Sequence, residues 1–208
     1  MNVALGARVT LIRGGDLVAV PWKNGGGLTR EVAAFPADAA LDAFVWRVSI
    51  AEVAAPGAFS TFAGVDRTLV LLAGAGMMLD EAGGATLTLK APLDMARFAG
   101  ETAIEARLVD GATRDFNLMV RRGVAVGEVS VVHAEVASTC TLDADVVLLF
   151  CAGGSIEVTL GDDDAIGLSV DDTLRVDLPD ALRCVIGGNG HALVVGIRYS
   201  KAADFRRR

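Results

Sequence analysis

Val45-Trp46-Arg47-Val48-Ser49-Ile50 and, farther along, Asp115-Phe116-Asn117-Leu118-Met119-Val120-Arg121 set the fold class, because both alternate apolar and polar residues. Successive side chains of a strand point to opposite faces, so each stretch predicts a strand with one polar face. Arg47 and Ser49 share a face of the first, and Asp115, Asn117 and Arg121 share a face of the second. Leu69-Val70-Leu71-Leu72 and Val146-Val147-Leu148-Leu149-Phe150 are short continuous apolar runs, which suit strands buried on both sides. Turn chemistry punctuates the chain at Gly74-Ala75-Gly76, Gly83-Gly84, Gly153-Gly154, Gly161-Asp162-Asp163-Asp164 and Gly187-Gly188-Asn189-Gly190. Many short strands at this spacing predict an all-β sandwich or barrel. The best helical segment, Ala37 to Ala43, is too short to alter that reading.

The halves of the chain also resemble each other. Leu69 to Gly74 followed by Ala85 to Lys90 answers to Val147 to Gly153 followed by Ile166 to Asp171: an apolar strand, a glycine turn, then an alternating strand. Two such units predict two β-barrels of similar topology. The expected division is residues 1–122, a first barrel with the N-terminal strands, and residues 123–208, a second.

Composition narrows the function. The chain has 208 residues, 52% of them apolar, and a formal net charge of −7. That charge argues against a sequence-independent nucleic-acid binder, which needs a positive surface to release counterions. The one basic cluster, Arg206-Arg207-Arg208, reads as a frayed end. Every apolar run is broken well short of about 18 residues, so no membrane-spanning helix is expected, and the first residues lack a secretory pattern. A cytoplasmic location is the expectation. Cys140, Cys151 and Cys184 form no CxxC pair and read as reduced core thiols. Exposed strand edges leave room for a homodimer.

Pro21-Trp22-Lys23-Asn24-Gly25-Gly26-Gly27 sets a cation and an amide beside backbone freed from side chains. The stretch reads either as a hairpin turn or as part of a binding site. It is not a P-loop, whose lysine follows the glycines and opens a helix, and nothing after Gly27 continues as a dinucleotide fingerprint. Thr29 and Glu31 share a face directly after it. Inside a closed barrel, polar side chains must find partners or a ligand. Lys23, Asn24, Glu31, Arg47, Ser49, Arg67, Asp115 and Asn117 together supply cations, carboxylates and amides suited to a small carboxylate ligand. Arg47 with Asp115 is also a candidate internal salt bridge. No catalytic residue, cofactor or metal is assigned. His133 and His191 stand far from the polar faces and neither has an HxH or HxxxH partner, which leaves no histidine-based metal centre. Asp162-Asp163-Asp164 reads as a solvated turn.

Several separated motifs then occur in a recognisable order. They are the glycine stretch with Thr29 and Glu31, Trp46 to Val53, Gly57-Ala58-Phe59-Ser60 with Phe62 and Gly64, Asp66-Arg67, and Asp110 to Met119. In these the chain resembles the HutD/Ves family, closely over its first two-thirds and by length and strand pattern over the rest. Ala58 departs from the proline of the family's Gly-Pro-Phe-Ser stretch, a change of turn stiffness and not of chemistry. The resemblance implies a double cupin, two double-stranded β-helix jelly-roll barrels without the histidine metal motifs of cupin dioxygenases. It also implies a link to bacterial histidine utilisation and the binding of an intermediate such as urocanate or a formylated product that limits pathway activity. The first barrel is the expected pocket. A non-enzymatic ligand sensor is thus the leading expectation. A metal-independent isomerase or hydrolase and a protein-interaction module are the alternatives.

Overall fold

The structure is a computed structural model that describes residues 7–201. The arginine-rich end, Arg206 to Arg208, lies outside the described residues. Strands dominate, and among the described residues the one helical element is a 3-10 turn at Gly14–Asp16. The segment from Ala37 to Ala43 forms turns, so its short apolar pattern does not nucleate a helix. No helix among the described residues is long and apolar enough to cross a membrane.

The chain opens with β1 (Arg8–Ile12). Leu17–Ala125 then forms one compact unit. Its strands are β2 (Ala19–Pro21), β3 (Gly27–Phe35), β4 (Trp46–Val53), β5 (Gly57–Ala58), β6 (Val65–Ala73), β7 (Met77–Glu81), β8 (Thr86–Leu89), β9 (Met95–Ala99), β10 (Ile104–Leu108) and β11 (Thr113–Arg121). A six-stranded sheet runs β2-β3-β4-β11-β6-β9 and a four-stranded sheet runs β5-β10-β7-β8. The core lies between them, where Ala51, Val53, Leu69 and Leu71 meet Met77, Leu79, Leu89 and Ile104. Leu69, Val70 and Leu71 are fully buried, as the continuous apolar run required.

The second unit comprises the described residues up to Asp16 and from Val126 onward. After β12 (Ala125–His133) come β13 (Ser138–Leu142), β14 (Val146–Leu160), β15 (Ile166–Ser169), β16 (Thr173–Asp177) and β17 (Leu182–Tyr199). They join β1 in a seven-stranded sheet. The N-terminal strand therefore serves the second unit and not the first, contrary to the sequence expectation. β1 pairs antiparallel with β16 from Arg8↔Asp177 to Ile12↔Thr173. Beyond it, Asp172 accepts hydrogen bonds from Arg13 Nη1 at 2.7 Å and from the Gly14 N–H at 2.9 Å. A pairing between segments so distant in sequence leaves no local pattern to read. Cys151 and Cys184 are buried free thiols, and Cys140 is half-buried.

The two units repeat one topology. In the first, β6 pairs with β9 and β11, and β7 with β8 and β10. In the second, the opening of β14 pairs with β16 and the end of β17, and its later half pairs with β15 and the start of β17. The fold is all-β, a pair of cupin-type jelly rolls. What differs is the filling: the core of the second unit is aliphatic residues and thiols throughout.

Trp22 packs against the first unit's core, and its ring lies over Gly27. A β-carbon at Gly27 would sit 3.1 Å from two Trp22 ring atoms and press on the Glu52 carbonyl oxygen. Gly27→Ala is expected to cost about 1–3 kcal/mol through overpacking. A urea titration should show it as a lower midpoint at unchanged slope. Wild-type stability in the variant would mean that the Glu52 backbone, and not only Trp22, gives way freely.

Candidate functional site

Strand register brings the predicted polar residues together. Across the six-stranded sheet Glu31, Ser49, Asn117 and Leu69 form one row, since Glu31 pairs with Ser49, Ser49 with Asn117 and Asn117 with Leu69. The next row is Arg47, Met119, Arg67 and Phe98. On the other side of the first row lie Thr29, Ala51, Asp115 and Leu71. Directly paired residues of an antiparallel sheet point to the same face. All three rows share the face that carries the core residues Ala51, Leu69, Leu71 and Phe98. The barrel interior is therefore aliphatic in one part and charged in another.

Burial deepens along these rows. Glu31 is exposed, Arg47 is half-buried, and Ser49, Arg67, Asp115 and Asn117 are buried. Arg47 Nε donates to Glu31 Oε2 at 2.6 Å, and its Nη1 reaches Ser49 Oγ at 3.3 Å. Asp115 is the candidate partner that the sequence offers for Arg47. Glu31 takes that place because β3 lies beside β4 with Glu31 directly opposite Ser49.

Arg67 has a different environment. Its Nη1 donates to the Ser60 carbonyl at 3.2 Å, and its guanidinium carbon stands 5.4 Å, 5.7 Å and 5.0 Å from the ring centres of Phe59, Phe62 and Phe98. Three ring faces stabilise a desolvated cation. Burial, with Arg47 as a second cation nearby and Asp115 opposing, lowers the Arg67 pKa to about 10, so it stays cationic at neutral pH. Burial raises the Asp115 carboxyl to about 7, and the charge of Arg67 offsets only part of that shift. Arg67 Nε, Asp115 Oδ2 and Asn117 Oδ1 are buried without a hydrogen-bond partner. An unmet buried polar group costs about 1–3 kcal/mol, and Thr113 Oγ1, on the same strand as Asp115 and Asn117, is likewise buried without a partner.

Lys23 and Asn24 stand apart from these rows. Both are exposed, on the turn between β2 and β3. Asn24 Oδ1 accepts from the Gly26 N–H at 3.0 Å, and the Trp22 N–H donates to the Gly27 carbonyl at 2.9 Å. Trp22 Nε1 donates to Thr29 Oγ1 at 2.8 Å. The glycine stretch thus forms a tight turn that seats Trp22. Sequence reasoning missed the aromatic wall of Phe59, Phe62 and Phe98 around Arg67. Phe59 and Phe62 lay within the quoted motifs, whereas Phe98 enters through the pairing of β6 with β9. A surface cleft beside Phe62 and Arg121 contains none of the polar rows, and Arg121 is held there by the Asp42 and Phe44 carbonyls. His133 and His191, read as isolated, lie with Nδ1 atoms 3.1 Å apart in the second unit.

Comparison with known proteins agrees with this architecture. A HutD family model matches residues 15–194. A Pseudomonas putida protein described as an uncharacterized 21.2 kDa protein in the hutC 3′ region is 36% identical over 176 residues, covering 85% of this chain and 90% of that one. The crystal structure of a conserved protein of unknown function from Pseudomonas aeruginosa PAO1 superposes with a TM-score of 0.85 at 30% identity, over 92% of this chain and 99% of the other. HutD from Pseudomonas fluorescens SBW25, in a formate condition, gives 0.82 at 30% identity over 93% and 100% of the two chains. By sequence and by fold, the chain belongs to the HutD family, which is linked to the histidine-utilisation locus.

Proposed function

We propose that the first barrel binds a small carboxylate of histidine breakdown and that the protein acts as a ligand sensor and not as an enzyme. The observation that carries the reading is the set of unmet atoms around Arg67. A carboxylate placed on Arg67, with Arg47 beside it, gives the guanidinium Nε an acceptor and makes charge-assisted hydrogen bonds. Asp115 Oδ2 and Asn117 Oδ1 are acceptors that need a donor. A ligand with a carboxylate at one end and an N–H at the other meets both demands. Urocanate, with its imidazole, and a formylated product, with its amide N–H, both have that form. Phe59, Phe62 and Phe98 supply apolar walls for the carbon skeleton between the ends.

A second reading follows from one observation. A carboxyl raised to about 7 is matched to general acid–base work at neutral pH, and Asp115 has that value. A metal-independent isomerase or hydrolase acting on the same ligand would use it. NMR of each intermediate incubated with protein separates the two: the sensor returns the compound unchanged, and conversion abolished in Asp115→Asn establishes the enzyme.

Ligand at a hundred times its Kd stabilises the folded state by about 2.7 kcal/mol, which raises Tm by roughly 5–10 °C for a chain of this size. A thermal-shift screen of urocanate and the formylated intermediates is expected to show such a rise. Arg47→Ala and Arg67→Ala should weaken binding by about ten- to a hundredfold, the worth of a charged hydrogen bond. Affinity unchanged in both variants would remove the carboxylate assignment.

The Asp115 environment makes a separate prediction. A carboxyl whose pKa is raised from 3.8 to about 7 binds more protons folded than unfolded between those values. Its contribution to stability is therefore complete below about pH 4 and is lost as pH rises through 7, by up to roughly 4 kcal/mol. Asp115→Asn removes that dependence. Urea unfolding at pH 5 and pH 8 should show the wild type losing more stability than the variant over this interval, and equal losses would place Asp115 at an ordinary pKa.

A further inference from the structure

Three donor groups of the second unit converge outside its core. His133 is the last residue of β12, Glu135 lies in the turn that follows, and His191 lies in β17. Ala134 and Ala192 are buried in the core, so alternation turns His133, Glu135 and His191 outward. The Ala134 N–H donates to the Gly190 carbonyl at 2.9 Å, which fixes the two backbones between the side chains. His133 and Glu135 are exposed and His191 is half-buried.

Their ligand atoms lie within 4.8 Å of one another. The two Nδ1 atoms are 3.1 Å apart, and the rings meet edge to face with an interplanar angle of 80°. Glu135 Oε1 is 3.9 Å from His191 Nδ1. With metal–nitrogen bonds of about 2.0–2.1 Å, two nitrogens on one ion stand roughly 2.9 Å apart at right angles and 3.4 Å at the tetrahedral angle. The separation of the histidines falls between these limits. Because the carboxylate is exposed, rotation of its side chain is enough to bring it to the same ion.

We propose that His133, His191 and Glu135 bind a divalent transition-metal ion of the zinc class on the surface of the second unit, with water in the remaining positions. Imidazole nitrogen selects zinc, cobalt, nickel and copper over magnesium and calcium. The ion ties the end of β12 to β17, a structural clip independent of the polar rows in the first unit.

The test is a zinc titration of the full untagged chain by calorimetry and thermal shift. One ion per chain and a rise in Tm are expected, with no response to magnesium at the same concentration. Removing groups that only support a metal ligand costs 10–100-fold in affinity, so His133→Ala and His191→Ala should each lose at least about tenfold. Cobalt should give weak visible bands without the strong near-ultraviolet absorption of thiolate ligation. Absence of zinc binding, zinc binding unchanged in both histidine variants, or a thiolate band from Cys140 and Cys184, which stand opposite each other on β13 and β17, would each overturn the assignment.

Discussion

Everything inside the first unit depends on the register between β4, β11 and β6. Side chains alternate with a period of two, so moving β11 by one residue would exchange its faces. Asp115 and Asn117 would then enter the layer now occupied by Phe116 and Leu118, beside Val48, Ile50 and Val70. All five of those apolar residues are buried. That layer is mainly aliphatic and aromatic surface, and unpaired polar groups there would be strongly unfavourable. The apolar face therefore determines where the polar face lies. Two register irregularities, between Glu31 and Ala33 and between Arg114 and Asp115, lie at the ends of these rows and shift the pairing by one residue beyond them, so that Ala33 is opposite Val48 and Arg114 opposite Ala73.

This constraint explains how a guanidinium comes to be buried with no ion-pair partner among the described residues. A buried charge ordinarily requires a paired opposite charge with good hydrogen-bond geometry. Arg67 instead has three aromatic rings and one backbone carbonyl, and the nearby carboxyl, Asp115, is itself raised toward neutrality by burial. The Arg47–Glu31 pair is different in kind. It is near solvent, where its contribution to stability is small, and its geometric effect is to hold Arg47 along the row toward Ser49. One arginine is thus positioned by a carboxylate, and the other is left with an unfilled donor in an apolar enclosure.

The sequence made the rows legible because each belongs to a strand with its own clear alternation. Arg47 with Ser49, and Asp115 with Asn117, could be placed on shared faces before any pairing was known. What could not be read was long-range. β1 joins β16, Glu31 and not Asp115 meets Arg47, and His133 meets His191, each through strand neighbours that local periodicity does not name. The glycine stretch was ambiguous for another reason. Its residues suit both a turn and a site, and only the placement of the Glu52 carbonyl and the Trp22 ring against Gly27 shows that the glycine is needed for close packing. Lys23, the one cation in that stretch, is exposed on the turn.

The shared topology of the two units shows how one plan gives different interiors. In the first unit the bends between β6 and β7 and between β10 and β11 are separate turns. In the second the corresponding bends lie within the long strands β14 and β17, and Gly154 and Gly190 make them possible. A β-carbon at Gly154 would strike the Asn189 carbonyl, and one at Gly190 would strike that of Gly153. Backbone brought so close joins the two halves of the second unit in one continuous ladder, around a core of aliphatic residues and thiols. The first unit instead carries Arg67, Asp115 and Asn117 on its barrel face, buried charged and polar side chains that the core of the second unit lacks.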